Sequence, residues 1–463
     1  MNARLSVAVG AGKTATFLSR RLGLGAGSNF PGKVILRIDP GATREMASRL
    51  LGGCVLVSGT NGKTTTSNLL AGMLRQGGMR PVHNRVGANL MTGITAALAQ
   101  ASNLKGDPRG DIGLFEVDEA TLPMAVQRLH PRLVVVTNLF RDQLDRYGEL
   151  ESLARKMDGA LRELGEEATV LLNADDPLVA TLGGNTRAEL RYYGIEHEGV
   201  GEAGLRHAAD SKHCRTCGAP LRFSTNFFGH MGKYVCESCG ASRPPVDFAA
   251  TQIELWGASG SRVRVSTPQW QAEISLGLPG LYNVHNLLAA TGAAQILGLE
   301  RSHVEKGVEG YSTAFGRGER IPLDGRTLFL VLSKNPTGFN EVIRFLRDEG
   351  TGLSILTALN DRIADGRDVS WIWDVDFEEL APLARFVTAT GRRAWDMALR
   401  MKYAGLDPQA MEVEGNLKKA LRSALERTPR GGTLYALTTY TATLDLRRLL
   451  TRMGAAPGLW EEV

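Results

Sequence analysis

The chain has 463 residues, 43% of them hydrophobic and 22% charged, with 54 Lys and Arg against 49 Asp and Glu. That length exceeds what one hydrophobic core organises and implies two or three domains. A net charge of +5 suits small anionic ligands or loose contact with acidic lipid and carries no nucleic-acid signature. No run of about 18 apolar residues is present, so no transmembrane segment is expected. The basic N-terminus lacks a sustained apolar region, which speaks against a signal peptide, and a cytoplasmic protein is expected.

In chain order, residues 1–50 read as an N-terminal lead-in: a basic amphipathic helix, a Gly/Pro-rich break at 24–32 and an amphipathic stretch at 42–51. The lead-in contains Gly10-Ala11-Gly12-Lys13-Thr14, but Arg4, Arg20 and Arg21 and the Leu5/Phe17/Leu18 spacing suit a helix, so this Gly-Lys-Thr reads as a decoy.

The informative segment follows. A strand-like run, Cys54 to Ser58, meets Gly59-Thr60-Asn61-Gly62-Lys63-Thr64-Thr65 and then a helical pattern over 65–76. Small residues let backbone N–H groups approach phosphate oxygens, and the helix N-terminus adds positive potential. Lys63 is placed for the β- and γ-phosphates of ATP or GTP and the Thr64 hydroxyl for Mg²⁺. Strands predicted at 112–116, 133–137 and 169–173 alternate with helices such as 149–164, the order of a parallel α/β sheet. Glu116 ends its strand one connection beyond the phosphate loop, where an acidic residue is placed to hold Mg²⁺, although a solvated loop carboxylate has the same appearance.

Residues 205–245 break the alternation with Cys214-Arg215-Thr216-Cys217 and Cys236-Glu237-Ser238-Cys239. Two C-x-x-C knuckles, each followed by glycine, predict a tetrahedral Cys₄ zinc ribbon inserted in the nucleotide domain; neither pair opens the βα unit that redox use would favour. Four thiolates leave no open position, so the metal is expected to be structural. Cys54 reads as a buried small hydrophobe. Strands at 263–265 and 272–276 then lead to Asn283 and Asn286 at the start of a helix. Three residues apart, their amides face one side and suit an adenine edge, while capping by Asn283 is compatible with the same placement. After 316 a second alternation (327–332, 340–348, 354–359, 386–388, 392–404, 434–437) predicts a smaller α/β domain. The expected division is 1–50, 51–315 and 316–463.

The short Gly-Thr-Asn-Gly-Lys-Thr-Thr form resembles the Mur ligase family, which joins amide bonds on peptidoglycan precursors with ATP. Four further stretches are similar to family motifs: Glu116 as a Mg²⁺ ligand, Thr137–Gly148, Asn173-Ala174-Asp175-Asp176, and Gly280–Asn286. Gly316-Arg317-Gly318-Glu319 is similar to a motif whose Arg reaches the phosphates, with a linker salt bridge as the alternative. The resemblance implies a Mur-type P-loop nucleotide-binding domain, then a Rossmann-like C-terminal domain. Gln143 stands where the family has a metal-binding His, and Lys156 lies near its carboxylated lysine, so no second metal is assigned. Asp175 and Asp176 read as structural or nucleotide-adjacent, His285 as a packing residue, and Asn84, Arg85 and Asn89 as possible substrate contacts.

The Cys₄ insertion, Gln143 and the string from Asn360 to Asp374 resemble the branch of the family that forms the synthetase subunit of lipid II isoglutaminyl synthase. Its partner is a GatD-type glutaminase, which takes its third catalytic acid from the synthetase; Asp368 matches that acid, with Asp374 as the other choice. What the resemblance implies is ATP-dependent amidation of the D-glutamate α-carboxylate of lipid II through an acyl phosphate. It implies Lys63, Thr64 and Glu116 with Mg²⁺ at the phosphates, structural Zn²⁺ in the ribbon, and action at the inner face of the plasma membrane. A stand-alone Mur or folylpolyglutamate-type amino-acid ligase, and a zinc-ribbon nucleic-acid module switched by ATP, remain the other readings. The basic residues of the ribbon (Lys212, Arg215, Arg222, Lys233) are offset by Asp210 and Glu237.

Overall fold

A computed structural model describes residues 2–21, 29–84, 88–141, 150–204, 210–311 and 317–457. The phosphate-loop strand, β1 (Cys54–Ser58), is buried along its whole length. Val55 and Val57 face one core, and Cys54 and Leu56 face the other. A strand covered on both sides reads as a continuous apolar run, which is why β1 shows no polar alternation.

Around β1 lie β2 (Pro81–His83), β3 (Ile112–Glu116), β4 (Leu133–Val136), β5 (Thr169–Asn173) and β6 (Glu189–Ile195). The hairpin strands β7 (Arg222–Phe228) and β8 (Met231–Val235) pair only with each other, and β9 (Phe248–Leu255), β10 (Ser261–Ser266) and β11 (Gln271–Leu276) complete the large sheet. Its order is β11-β10-β9-β6-β5-β4-β1-β3-β2. Pairing is parallel from β2 through β9 and antiparallel for β9/β10 and β10/β11. The α/β class and the bounds of β1, β3 and β5 agree with the sequence reading.

One face carries α4 (Lys63–Gln76), α8 (Leu281–Ile296) and α9 (Arg301–Glu309). The other carries α5 (Met91–Ala101), α6 (Leu122–Leu129) and α7 (Leu150–Arg162). The first 50 residues, expected as a lead-in, are α1 (Ala3–Arg21), α2 (Phe30–Ile38) and α3 (Ala42–Ala47). Leu5, Ala8, Val9, Ile35 and Met46 from these helices are fully buried in the same core as Leu56 and Phe115. Gly10 to Thr14 lies inside α1 with no strand before it, so this second Gly-Lys-Thr has no phosphate-loop geometry.

The C-terminal unit is a six-stranded sheet, β12-β13-β17-β14-β15-β16. Its strands are β12 (Arg317–Leu323), β13 (Arg326–Leu332), β14 (Leu353–Ala358), β15 (Ala384–Thr390), β16 (Met411–Val413) and β17 (Thr433–Thr438). Its main helices are α10 (Pro336–Asp348), α11 (Ala394–Tyr403), α12 (Leu417–Arg427) and α13 (Tyr440–Arg452). Within the Gly-Arg-x-Glu stretch, Glu319 pairs at 2.6 Å with Arg447 of α13, both buried, which is the salt-bridge alternative for that acid.

The β7/β8 hairpin occupies the crossover between β6 and β9, which are sheet neighbours. It is fixed to the sheet by a buried network. Asp175, at the end of β5, accepts hydrogen bonds from Arg243 Nε (2.6 Å) and Ile195 N (2.8 Å) and pairs with His285 (2.7 Å). Asp176 accepts from Leu139 N at 2.8 Å and lies 3.3 Å from His230 of the hairpin tip. Of the two readings left open for the acidic turn, these bonds favour the structural one, and His285 packs within the same network. Burial would raise the Asp175 carboxyl, but Arg243 and His285 overcome it and hold it below the ordinary carboxylate range.

Asp175→Ala leaves Arg243 without its buried carboxylate and is expected to cost about 3–5 kcal/mol. Because the folded pKa is lowered, this stabilisation is complete above the unfolded value, near 4, and is lost as pH falls through the folded one. Thermal melts of parent and variant should differ most at neutral pH and converge in acid.

Candidate functional site

The strand order reverses between β1 and β4, the place where open α/β sheets bind ligands. Two loops meet there. Gly59 (φ 124°) and Gly62 (φ 87°) have left-handed backbones, and a Cβ on Gly62 would overlap Asn286 Oδ1. The turn between them is bonded to the end of β4. Thr60 N donates to Asn138 O (2.8 Å), Asn61 N to Asn138 Oδ1 (2.8 Å), and the Thr137 hydroxyl to Asn61 O (2.7 Å). Phe140 N donates to the Thr60 hydroxyl at 3.0 Å. Gly62 is the N-cap of α4, so the turn and the first helical turn offer their N–H groups to one place.

Lys63 is buried and its ammonium donates to Gly59 O, to Thr60 O (3.2 Å) and to Glu119 Oε2 (3.1 Å). Burial opposes its charge, yet Glu119, Glu116 and Asp118 outweigh burial and raise the pKa. Burial also raises the Glu119 carboxyl, against the pull of Lys63. The Thr64 hydroxyl donates to Glu116 Oε2 at 2.7 Å, so the two residues expected to share Mg²⁺ are side by side. A hydroxyl and a carboxylate are the hard oxygen donors that Mg²⁺ takes. Thr65 is buried in the same helical turn.

Asn84 is placed differently from the substrate contact expected of it. Its amide accepts from Glu116 N (2.8 Å) and donates to Glu116 O and Ala88 O (both 2.8 Å), clamping the end of β3. Asn89 O accepts from Asp118 N at 3.0 Å. Asn286 reaches the phosphate turn: its Nδ2 donates to Asn283 Oδ1 (2.9 Å) and the Thr66 hydroxyl lies 3.5 Å from its Oδ1. Asn283 is not a helix cap. Gly280 is the N-cap, and Asn283 Nδ2 donates to Pro279 O at 2.7 Å. Arg317 begins β12, but its side chain lies outside the described residues, as do Arg85 and Gln143. Lys156 is exposed on α7.

The C-terminal unit closes the cleft over the turn. Asn335 Nδ2, at the N-cap of α10, donates to Asn61 Oδ1 at 3.1 Å. Ser333, Lys334 and Asn335 share the cleft with Gly62, Asn286 and Phe228. The tip of the β7/β8 hairpin inserts between the two units. His230 packs in a tilted contact against Phe140 with ring centroids 4.5 Å apart, and Arg344 of α10 donates to the carbonyls of Phe227 and Val200.

Beyond the hairpin, the sulfur atoms of Cys214, Cys217, Cys236 and Cys239 all lie within 4.8 Å of one another. The Cys214–Cys239 and Cys217–Cys236 separations are 3.6 and 3.4 Å. A tetrahedral zinc with bonds of about 2.3 Å sets sulfurs about 3.8 Å apart, so the four thiols fit it. Both knuckles turn on left-handed glycines, Gly218 and Gly240 (φ 76° each). Asp368 is exposed and lies far along the chain in the C-terminal unit. Its oxygens accept from Ser370 N (2.8 Å) and the Ser370 hydroxyl (2.9 Å), and these bonds hold its carboxyl below the ordinary range. The following turn, Ser370–Asp374, is pinned by Arg400, which donates to Ile372 O (3.1 Å) and Val375 O (2.6 Å).

A model of the Mur ligase middle domain matches residues 57–235, and one of the MurT ligase C-terminal domain matches residues 332–443. The chain is 33% identical over 452 residues to the MurT subunit of lipid II isoglutaminyl synthase (glutamine-hydrolyzing) of Streptococcus pneumoniae, covering 97% of this chain and 98% of that one. The chain belongs to the MurT family of Mur ligases. The Staphylococcus aureus MurT subunit is 31% identical over 95% of this chain and 96% of its own. In fold, the chain is similar to a pseudomurein peptide ligase type C from Methanothermus fervidus (TM-score 0.66, 21% identity, covering 87% and 79%). It is also similar to the Mycobacterium tuberculosis folylpolyglutamate synthase solved with ADP and AMPPCP (TM-score 0.63, 15% identity, 93% and 99%).

As a MurT-type chain, the protein is an ATP-dependent ligase of Mur type. Sequence reasoning missed two residues of its site, Glu119 and Asn335. Glu119 stands three residues past the end of β3, a place within reach of the loop lysine that the reading of Glu116 alone overlooks. Asn335 announces itself only as Asn before Pro336, a helix-start signal.

Gly62→Ala forces a left-handed alanine into Asn286. Strain of about 1–2 kcal/mol is expected to weaken binding of a non-hydrolysable ATP analogue about tenfold in titration calorimetry. Cys217→Ser should lower the zinc content measured by plasma emission and, through the hairpin tip, weaken binding of the same analogue.

Proposed function

We propose that the chain is the synthetase subunit of a lipid II isoglutaminyl synthase. It converts the α-carboxylate of D-glutamate in the lipid II stem peptide to the amide, in peptidoglycan synthesis. The observation that carries this reading is the 33% identity to a MurT subunit along nearly the full length of both chains. In the proposed reaction a carboxylate oxygen attacks the γ-phosphorus of ATP, ADP leaves, and ammonia displaces phosphate from the acyl phosphate. Gly59, Thr60, Asn61, Gly62 and Thr65 form the phosphate cradle, Lys63 stabilises the charge that shifts during transfer, and Asn283, Asn286 and Arg317 complete the nucleotide side. Thr64 and Glu116 are the residues to hold Mg²⁺, which would neutralise phosphate charge. The four clustered cysteines hold structural Zn²⁺, and with the chain divided at 51–315 and 316–463 the ribbon and the nucleotide belong to the first of these units.

The ammonia comes from a partner. The sequence has five cysteines, four of them in the cluster; Cys54 is buried, and burial pushes its thiol up to about 12. No thiol is poised as the nucleophile of a Cys glutaminase. A GatD-type glutaminase supplies it, and Asp368 orients the histidine of the partner's active site, as the acid of a catalytic triad does. An exposed, ionised carboxylate on a pinned turn suits that task. Beside it, Trp373 and Tyr403 expose 49% and 68% of their surface with ring centroids 5.7 Å apart, aromatic area of the kind that interfaces bury. The reaction belongs at the cytoplasmic face of the plasma membrane, where the lipid-linked substrate is.

Two variants test the reading by product analysis. Lys63→Ala is expected to lower isoglutamine formation about a hundredfold or more with either glutamine or free ammonia as donor. Asp368→Asn, assayed with its glutaminase, is expected to lower glutamine hydrolysis by about 10²-fold or more and to retain amidation from free ammonia. Amino-acid-dependent ADP release in the absence of any glutaminase would instead favour a stand-alone ligase.

A further inference from the structure

Residues 1–38 contain six basic side chains (Arg4, Lys13, Arg20, Arg21, Lys33, Arg37) and no Asp or Glu. The whole chain has 54 basic against 49 acidic residues, so its entire positive excess resides in this segment. The segment folds as α1 and α2, packed antiparallel: Arg4 Nε, at the start of α1, donates to Ile38 O, at the end of α2, at 2.6 Å. The inner faces are core. The outer faces are unusual for a protein surface, where a helix ordinarily turns polar residues to water. On α1, Val7, Phe17 and Leu18 expose 62%, 62% and 49% of their area, and on α2 Phe30 exposes 57%. Phe17 and Leu18 end α1 and Phe30 begins α2, so the large apolar groups gather at the connected end of the pair. Lys33 and Arg37, both exposed, follow Phe30 on the same face of α2, flanking a shallow groove with Val34 and Thr92.

We propose that the outer face of α1 and α2 docks on an anionic phospholipid surface. Apolar residues at one end with cations one and two turns away, and no acid on either helix, is the pattern of an interfacial amphipathic element. Phenylalanine and leucine enter the headgroup boundary while lysine and arginine reach the lipid phosphates. The uncompensated positive charge fits an anionic lipid surface, and the proposed glutaminase contacts lie around Trp373 in the other unit.

Docking here orients the active site. A Cβ on Gly32 of α2 would overlap the backbone of Thr92, so α2 is locked against α5. Just before α5, Asn89 O holds Asp118 N of the acidic run around Lys63. A bilayer gripped by α2 is therefore one helix away from the acidic run beside Lys63. The use made of this docking rests on the proposed lipid-linked substrate; the docking itself does not.

Co-sedimentation of the full chain with vesicles, without substrate or ATP, tests it. Binding is expected to equal parts phosphatidylglycerol and phosphatidylcholine, to be released by high salt, and to be absent on phosphatidylcholine alone. K33Q/R37Q should lower partitioning about thirtyfold and F17S/F30S about tenfold. Both variants should amidate a water-soluble, short-chain substrate at the parental rate and co-purify with the glutaminase as the parent does. Undiminished vesicle binding by both variants overturns the proposal, as does loss of the glutaminase from either, which would assign this face to the partner. Failure of the amidation reading would show as absent isoglutamine with vesicle binding intact.

Discussion

Everything in the nucleotide cleft is arranged around one buried cation. The Lys63 ammonium is held by two carbonyls of its own turn and by Glu119, itself buried. An unpaired ammonium at that depth would be costly, and the carboxylates beside it remove that cost before any phosphate arrives. The pairing also sets the turn. With Lys63 anchored back onto Gly59 and Thr60, and Asn138 and Thr137 gripping Asn61 from β4, the N–H groups at the head of α4 are aimed before ligand enters. Preorganised dipoles of this kind are the larger part of what a phosphoryl-transfer site contributes.

The cleft has three walls from three parts of the chain. The phosphate turn is the floor, α10 of the C-terminal unit approaches with Asn335, and the hairpin of the Cys₄ insertion wedges between them with Phe228 and His230. Arg344 ties α10 to that hairpin, not to the sheet. The insertion is therefore a load path between the two α/β units as well as the carrier of the Cys cluster. Burial of Asp175 against Arg243 and His285 keeps its base rigid.

Strand and helix identity around the site were legible because the physics there is local. β1, β3 and β5 are doubly covered and read as apolar runs between turn residues, and the Cys knuckles fix a metal geometry by spacing alone. The Thr64–Glu116 pairing followed from the rule that ligand groups sit at strand ends. What escaped depends on contacts distant in sequence. The core role of α1–α3 is set by β1 and β3, more than 30 residues on from α1, and the basic composition of the segment drew attention to its outer face alone. Asn84 looks like a polar loop residue, and only the β2/β3 pairing turns its amide onto Glu116. The capping alternative for Asn283 fails because α8 begins at Leu281 with Gly280 as its N-cap, a glycine start that the periodicity does not reveal.

The position of the ribbon between β6 and β9 has a consequence for how the molecule assembles. Strands β1 to β6 leave the ribosome first and can pair among themselves, whereas β9 pairs with β6 across the long intervening segment and must close that loop. Cross-linking Cys214 through Cys239 by a metal shortens that excursion and lowers the entropy lost on closing it. Were the four thiols to hold zinc, its capture would assist the closing of β9, β10 and β11 onto the sheet ahead of the asparagine helix that follows them. A chain with an unfilled cluster would then leave the edge of β6 exposed for longer, and an unpaired strand edge invites aggregation and proteolysis.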